Sequence, residues 1–386
     1  MIQPQLVPHE VLAEAVSWRH DLHRHPEIAF QERRTSDFVA SQLQRFGLTV
    51  HRGLAGTGVV GTLRRGTSRR SIGIRADMDA LPIQEQGLIE HASIIPGAMH
   101  ACGHDGHVVG ALTAARVCAR LENLDGTVHF IFQPAEEAEG GARKMVEGGL
   151  FQQFPCDRIF AFHNWPTLPL GSCVARDGAM MAALATFEIV VGGRGAHGAM
   201  PHYSHDPVVA ASHVICALQS LVSRNVDPLQ SAVVSVTQVK GGGTWNVVPD
   251  ECVIRGTTRW FDEAIGETVE RRLVKIAQGV SAGLGCEAKV NYERRFVATI
   301  NDVQNAGLIR SLASEVGLQV LDPGPSMASE DFAFMLRAVP GCYIWLGSSS
   351  GPDGPGLHAS MYDFNDQLLP VVVGLWVALV KSQLTR

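Results

Sequence analysis

Four apolar, strand-like runs in this chain each lead into residues that can hold protons or metals, and that recurrence restricts the fold more than any other feature. Ile72-Gly73-Ile74 runs into Asp77-Met78-Asp79, Val128 to Phe132 ends in Gln133-Pro134-Ala135-Glu136-Glu137, and Ile159 to Phe162 ends in His163-Asn164-Trp165-Pro166. Cys342 to Leu346 is followed by a loop that holds Gly356-Leu357-His358. His104 to Arg120 carries apolar residues at 108, 111, 112, 115 and 119, the stripe of a helix. Val128 to Phe132 is nearly all apolar, as a parallel strand covered on both faces requires. Alternating strands and helices predict an α/β fold, in which ligands bind beyond the carboxyl ends of the strands.

Metal is the simplest occupant for that edge. Met99-His100-Ala101-Cys102-Gly103-His104-Asp105-Gly106-His107 crowds a thiol, three imidazoles and a carboxylate into nine residues before the predicted helix. Cys102 and His104 suit zinc and its first-row neighbours, and the glycines let the backbone turn so that both face one point. Cys-x-His by itself describes a buried thiol beside surface histidines equally well. The joint placement of Asp77, Cys102, His104, Glu136, Glu137, His163 and His358 at strand ends is what favours the metal. Upstream, residues 10 to 45 have helical periodicity interrupted at Pro26, and the pair His23 and His25 in Leu22-His23-Arg24-His25-Pro26-Glu27 reads as helix-end packing or hydrogen bonding.

At 386 residues the chain exceeds one ordinary core, so two domains are expected. The pattern changes between about 184 and 294. Leu184 to Val191, Ala232 to Lys240, Cys252 to Trp260 and Cys286 to Tyr292 read as strands, while Asp206 to Val222 and Asp262 to Leu284 read as helices. The order β-α-β-β-α-β is that of the split, ferredoxin-like unit. It is inserted, because helix-like stretches at Asp302 to Glu315, Ser329 to Leu336 and Asp366 to Lys381 resume the first pattern. The expected domains are 1–183 with 295–386, and 184–294.

A net charge of -6, with no basic run, argues against nucleic acid or an anionic membrane and for a small-molecule partner. The eight cysteines are dispersed, the usage of free thiols in a reducing compartment. No apolar run approaches the roughly 20 residues that span a bilayer, and Met1 to Glu10 lacks a hydrophobic leader core, so a cytosolic location is expected.

The insertion has polar features of its own. Gly192 to Pro201 is a glycine-rich loop presenting His197, Gly241 to Asp250 is a hairpin-like connection containing Asn246, and Arg259 ends a strand. Singly, each is more simply a turn, a turn and a cap or carboxylate partner.

Together with Arg75 to Pro82, Gln133 to Glu137, His163 to Pro166, Gly195 to Pro201, Asn246 to Asp250, Ser329-Glu330-Asp331-Phe332 and His358, these stretches resemble the co-catalytic metallopeptidases that include aminoacylases and acetylornithine deacetylases. The likeness is to their amidohydrolase subgroup of hippurate, N-acyl-amino-acid and auxin-conjugate hydrolases, and it covers essentially the whole chain. It implies an aminopeptidase-like α/β/α catalytic domain with the ferredoxin-like insertion as lid and dimerisation domain. Cys102, His104, Glu137, His163 and His358 would hold two divalent metals, with Cys102 as bridge and zinc, manganese, cobalt and nickel all open. The wider family has a His and an Asp where this chain has Asp77 and Cys102. Glu136 would be general base, His197 would reach the oxyanion, and Asn246 and Arg259 would bind the substrate carboxylate. The resemblance implies an N-acyl-L-amino-acid amidohydrolase acting as a homodimer or higher oligomer, with His197 serving the partner's metals. A dipeptidase or carboxypeptidase is the near alternative, although no acidic residue stands out to hold a free α-amine. An inactive metal-stabilised binding relative is the other, but structural zinc sites lack a spare carboxylate such as Glu136.

Overall fold

The computed structural model describes residues 7–137, 140–349, 351 and 354–385. The N-terminal residues 1–6, read above as part of a segment without a leader core, lie outside the described residues. The chain forms two compact units. Unit 1 comprises the described residues up to Met180, Ile300–Gly324 and those from Asp331 onward; unit 2 comprises Met181–Thr299 and Pro325–Glu330.

In chain order, unit 1 has α1 (His9–Arg24), α2 (Arg33–Arg45), β1 (Thr49–Leu54), β2 (Gly58–Arg65), β3 (Ser71–Asp77) and α3 (His104–Cys118). Then come β4 (Gly126–Gln133), α4 (Gly141–Glu147), α5 (Leu150–Gln153), β5 (Arg158–Trp165), β6 (Ser172–Val174) and β7 (Gly178–Met181). Unit 2 contains β8 (Ala183–Gly192), β9 (Ala196–His197), α6 (Pro207–Asn225), β10 (Ala232–Gly241) and β11 (Val247–Val248). It continues with β12 (Glu251–Trp260), α7 (Glu263–Gly283) and β13 (Glu287–Phe296). After β14 (Thr299–Asn301), α8 (Val303–Glu315), β15 (Gln319–Val320), α9 (Ala333–Ala338), β16 (Gly341–Gly347) and α10 (Leu369–Leu384) return to unit 1.

The sheet of unit 1 has eight strands in the order β1-β2-β4-β3-β5-β16-β6-β15. Its centre, β4-β3-β5-β16, is parallel, so those carboxyl ends share one edge. The sheet is mixed rather than wholly parallel: β2 runs antiparallel to β4 because β1 and β2 form a hairpin turned at Ala55 and Gly56, both with positive φ. Alternate residues Val128, Phe130, Phe132, Phe160, Phe162, Ile344 and Leu346 enter one core with α1, α3 and α10. Two sequence expectations move. β5 continues through His163 to Trp165, since β16 pairs with it residue for residue as far as Gly347. The helix expected from Ser329 starts at Ala333, because the Asp331 carboxylate accepts from Arg75, Gln133 and the Ala142 N–H instead of beginning a helix.

The expectation that no apolar stretch approaches bilayer length also needs correction. The 19-residue segments Pro207–Asn225 and Asp366–Leu384 are helical and apolar enough to cross a membrane by length and composition. Both cover sheets here: Leu369, Val372, Leu375 and Leu379 are buried in the core of unit 1, and Ala210, Val214, Leu218 and Leu221 in that of unit 2.

Unit 2 is an antiparallel sheet in the order β10-β12-β8-β13. Its apolar core joins Phe187, Ile189, Val191 and Ile254 to residues of α6 and of α7, among them Val269 and Leu273. Asp206 and Asp262 cap α6 and α7 by accepting from backbone N–H groups of the first turn.

Candidate metal centre and active site

The parallel strands of unit 1 deliver the donors. Glu136 and Glu137 follow β4, His163 is in β5, His358 lies in the segment after β16, and Cys102 and His104 stand at the start of α3. Two glycines permit this approach. Gly103 has φ +91 and a Cβ there would meet Asn164 Oδ1 at 2.5 Å, while a Cβ on Gly106 would meet the Phe364 ring at 2.3 Å.

The donor atoms gather into overlapping groups, each within 4.8 Å. Cys102, His104 and His163 form one, Cys102, Glu137 and His358 another, and His104, Glu136 and Glu137 a third. Cys102 Sγ is 3.3 Å from His163 Nε2, and His358 Nε2 is 3.1 Å from Glu137 Oε1. The first two groups share only the thiol, the arrangement expected of a bridge between two ions. Cys102, His104, Glu136 and His163 are buried, whereas His358 is 52% exposed and marks the open side.

The hydrogen bonds behind the donors fit this use. His104 Nδ1 donates to Asp79 O at 2.8 Å, and its buried Nε2, which has no hydrogen-bond partner, would offer a lone pair to a metal ion that took the place of its proton. His163 Nδ1 donates to Asn164 O at 2.7 Å, which turns its Nε2 lone pair to Cys102. Asp79 also accepts from the Glu137 N–H at 2.9 Å. Burial pushes the Cys102 thiol well up, and Glu137, Glu136 and Asp77 add to the rise. His104 is pushed up to about 10, since burial opposes its charge but Asp77 and Asp79 outweigh it. The surroundings therefore hold positive charge, and thiol, imidazole and carboxylate together fit divalent first-row ions.

A second layer was not legible. Arg75 reaches Asp77 at 2.7 Å, Gln133 at 2.7 Å and Asp331 at 3.1 Å, all buried. The Asp331 N–H donates to Glu136 Oε1 at 3.3 Å. Asp77, aligned by resemblance with a metal-binding His, pairs with Arg75 and His107 and shares a three-donor group with His104 and His107. All of these residues lie in the motifs quoted from the sequence, but nothing in residue type alone says that their charges are buried.

In unit 2, β9 and β11 form a short ladder that sets His197 opposite Val247, and Gly198 N–H donates to Asn246 O at 2.7 Å. His197 and Asn246 are neighbours and exposed. His197 Nδ1 accepts from the Ala199 N–H at 3.0 Å, so Nε2 carries the proton and can donate. Arg259 is not with them. It pairs with Leu184 at one end of β8, while β9 follows Gly192 at the other end. The eight residue steps from Glu251 to Arg259 put about 26 Å between the two ends. Arg259 Nη1 instead donates to Ser329 Oγ at 2.7 Å.

Candidate donors at one sheet edge, in two groups that share a thiol and with a carboxylate beside them, fit a metal-dependent hydrolase with a dinuclear centre. The chain belongs to peptidase family M20/M25/M40, whose profile matches residues 73–382. It is 39% identical over 369 residues to a hippurate hydrolase from Campylobacter jejuni, covering 95% of each chain. It is also 39% identical over 341 residues to an N-acetyl-L-cysteine deacetylase from Bacillus subtilis, covering 88% of this chain and 82% of that one. A dinuclear metal-binding peptidase of the M20 family from Bacillus subtilis superposes with a TM-score of 0.86 at 33% identity, covering 98% of this chain and 99% of that one.

Proposed function

We propose that this enzyme hydrolyses the amide bond of N-acyl-L-amino acids, releasing a carboxylic acid and a free amino acid. The observation that carries the reading is the different placement of Glu136 and Glu137, which share a donor group with His104 but differ in their other neighbours. Glu137 groups with Cys102 and His358, while Glu136 is buried beside them with its carboxylate held by the Asp331 N–H. Two ions of the zinc, manganese, cobalt or nickel type, held by Cys102, His104, Glu137, His163 and His358, would polarise the amide carbonyl and acidify a water. Glu136 takes one proton from the attacking water and returns it to the leaving nitrogen, so the proton count balances. Eight free cysteines support a reducing, cytosolic setting.

Residues 1–183 and 295–386 form the catalytic domain in this proposal, and 184–294 form a ferredoxin-like lid and dimerisation domain. His197 donates to the developing oxyanion, and Asn246 and Arg259 hold the substrate carboxylate. Because Asn246 and Arg259 lie near opposite ends of β12 in one chain, they hold one carboxylate together only if a second subunit supplies one of them, which supports a homodimer in which His197 serves the partner's metals. Edge strand β10, half-buried to exposed along its length, offers an unpaired ladder for such an association.

Metal-replete protein assayed on N-acetyl, N-benzoyl and indoleacetyl amino acids, with dipeptides as controls, tests the reaction. Turnover of the dipeptides alone would reject it. Glu136→Ala and His197→Ala homodimers should each be nearly inactive, while equal mixing with subunit exchange should restore about a quarter of wild-type activity. No recovery despite exchange would confine His197 to its own subunit or remove it from catalysis.

A further inference from the structure

Arg19 is a fully buried guanidinium in α1, and its partners come from two distant parts of the chain. Nη1 lies 2.6 Å from Asp363 Oδ1 and 3.6 Å from Asp105 Oδ2, while Nε and Nη2 reach Asp366 at 2.8 and 3.1 Å. One turn on, His23 is equally buried and sets Nδ1 2.9 Å from Asp105 Oδ2 and Nε2 3.4 Å from Glu85 Oε1. Asp105 directly follows His104, and Asp363 and Asp366 lie five and eight residues after His358. The histidine motif of the first helix thus joins the network behind the metal donors.

His358 needs such support more than the other donors do. Its backbone has φ +65, a region that side chains other than glycine occupy at a cost, and its ring is 52% exposed. Packing does not fix that ring, so the segment around it must. The local anchors are His358 N–H to Ala101 O and Gln86 N–H to Ser360 O, each 2.8 Å, and Asn164 Nδ2 to the Tyr362 hydroxyl at 2.6 Å. Arg19 adds the one buried cation on this segment among the described contacts, with Asp363 and Asp366 as its acceptors.

We propose that Arg19 is a positioning residue for the two-ion centre: it ties the start of α3, which carries His104, to the segment that carries His358. The separation of the two donor groups sharing Cys102 is then set by one guanidinium that faces three carboxylates. The planar fork of Arg grips Asp366 through Nε and Nη2 while Nη1 reaches Asp363, a two-point geometry that the compact ammonium of Lys does not reproduce. The proposal rests on the ligand assignment given under the proposed function.

The test follows stepwise release of metal to a chelator from metal-loaded wild type, Arg19→Lys, Asp363→Asn and His358→Ala. His358→Ala should hold one ion instead of two; if it retains both at wild-type affinity, the ligand assignment itself fails. Arg19→Lys should release one ion about 10- to 100-fold more readily, with the other unchanged. Asp363 is 31% exposed, so Asp363→Asn should fold even if Arg19→Lys does not, and should weaken the same ion by a smaller factor. Unchanged affinity for both ions in Arg19→Lys, or in Asp363→Asn should Arg19→Lys not fold, would overturn the proposal. So would equal weakening of both ions, which a general loosening of the fold would produce.

Discussion

The two units handle charge in opposite ways. In unit 1, Arg19, His23, Arg75, Asp77, Asp79, His104, Asp105, His107 and Asp331 are none of them more than 1% exposed. In unit 2, the pairs Arg255–Glu188 and Arg294–Glu263 have side chains at least 36% exposed, and among the described residues Glu330 is the one charged side chain buried as deeply. Burying an ion is costly unless partners replace its water. Unit 1 meets that cost with converging networks around its donors, which holds them rigidly. Unit 2 carries His197 and Asn246 at its exposed surface, on the short β9–β11 ladder, where water solvates polar groups and no buried charge network is needed.

The largest effect should separate chemistry from architecture within unit 1. Glu136→Gln should lower turnover by about 10²- to 10⁴-fold with metal content unchanged, read by steady-state assay beside metal analysis. Near-normal turnover would remove Glu136 from the mechanism. Next, Arg75→Met leaves Asp77 and Asp331 without their guanidinium and should destabilise unit 1 by about 3–5 kcal/mol in denaturant unfolding. A loss under 1 kcal/mol would break the contrast between the units.

The third effect concerns pH. Burial opposes charge on His23, but Asp105 and Glu85 outweigh it and push it up to about 9 from 6.5. A raised folded value means that this stabilisation is fully present below pH 6.5 and lost as pH rises through 9, at most roughly 3 kcal/mol. Thermal unfolding of wild type and His23→Gln should therefore differ most near pH 6 and converge above pH 9; a constant difference would deny the titration. The smallest effect belongs to unit 2. Arg255→Ala should cost about 0–1 kcal/mol and less in high salt, because water and ions screen an exposed pair.

Much of the fold was legible because local rules decide it. The apolar runs at 128–132 and 342–346 are strands, Asp206 with Pro207 begins a helix, and Glu136 and Glu137 follow the end of a strand as expected. His163 fell inside β5 because pairing with β16, which no local pattern reveals, extends the strand. Asn246 and Arg259 are only 13 positions apart in sequence yet lie near opposite ends of the sheet of unit 2, because β12 runs its full length between them.

By itself the sequence determined the alternation of strand and helix, the break in that pattern near 184 and 294, and the inventory of donors. Each follows from side-chain period, capping chemistry and residue type, which act over a few neighbouring residues. The tertiary structure alone decided which candidate donors come within 4.8 Å of one another, which ring nitrogen each histidine turns to its neighbours, and that Arg19 meets Asp366 across 347 positions of chain. Those outcomes depend on long-range contact and on the removal of water, and neither is written in any short stretch of residues.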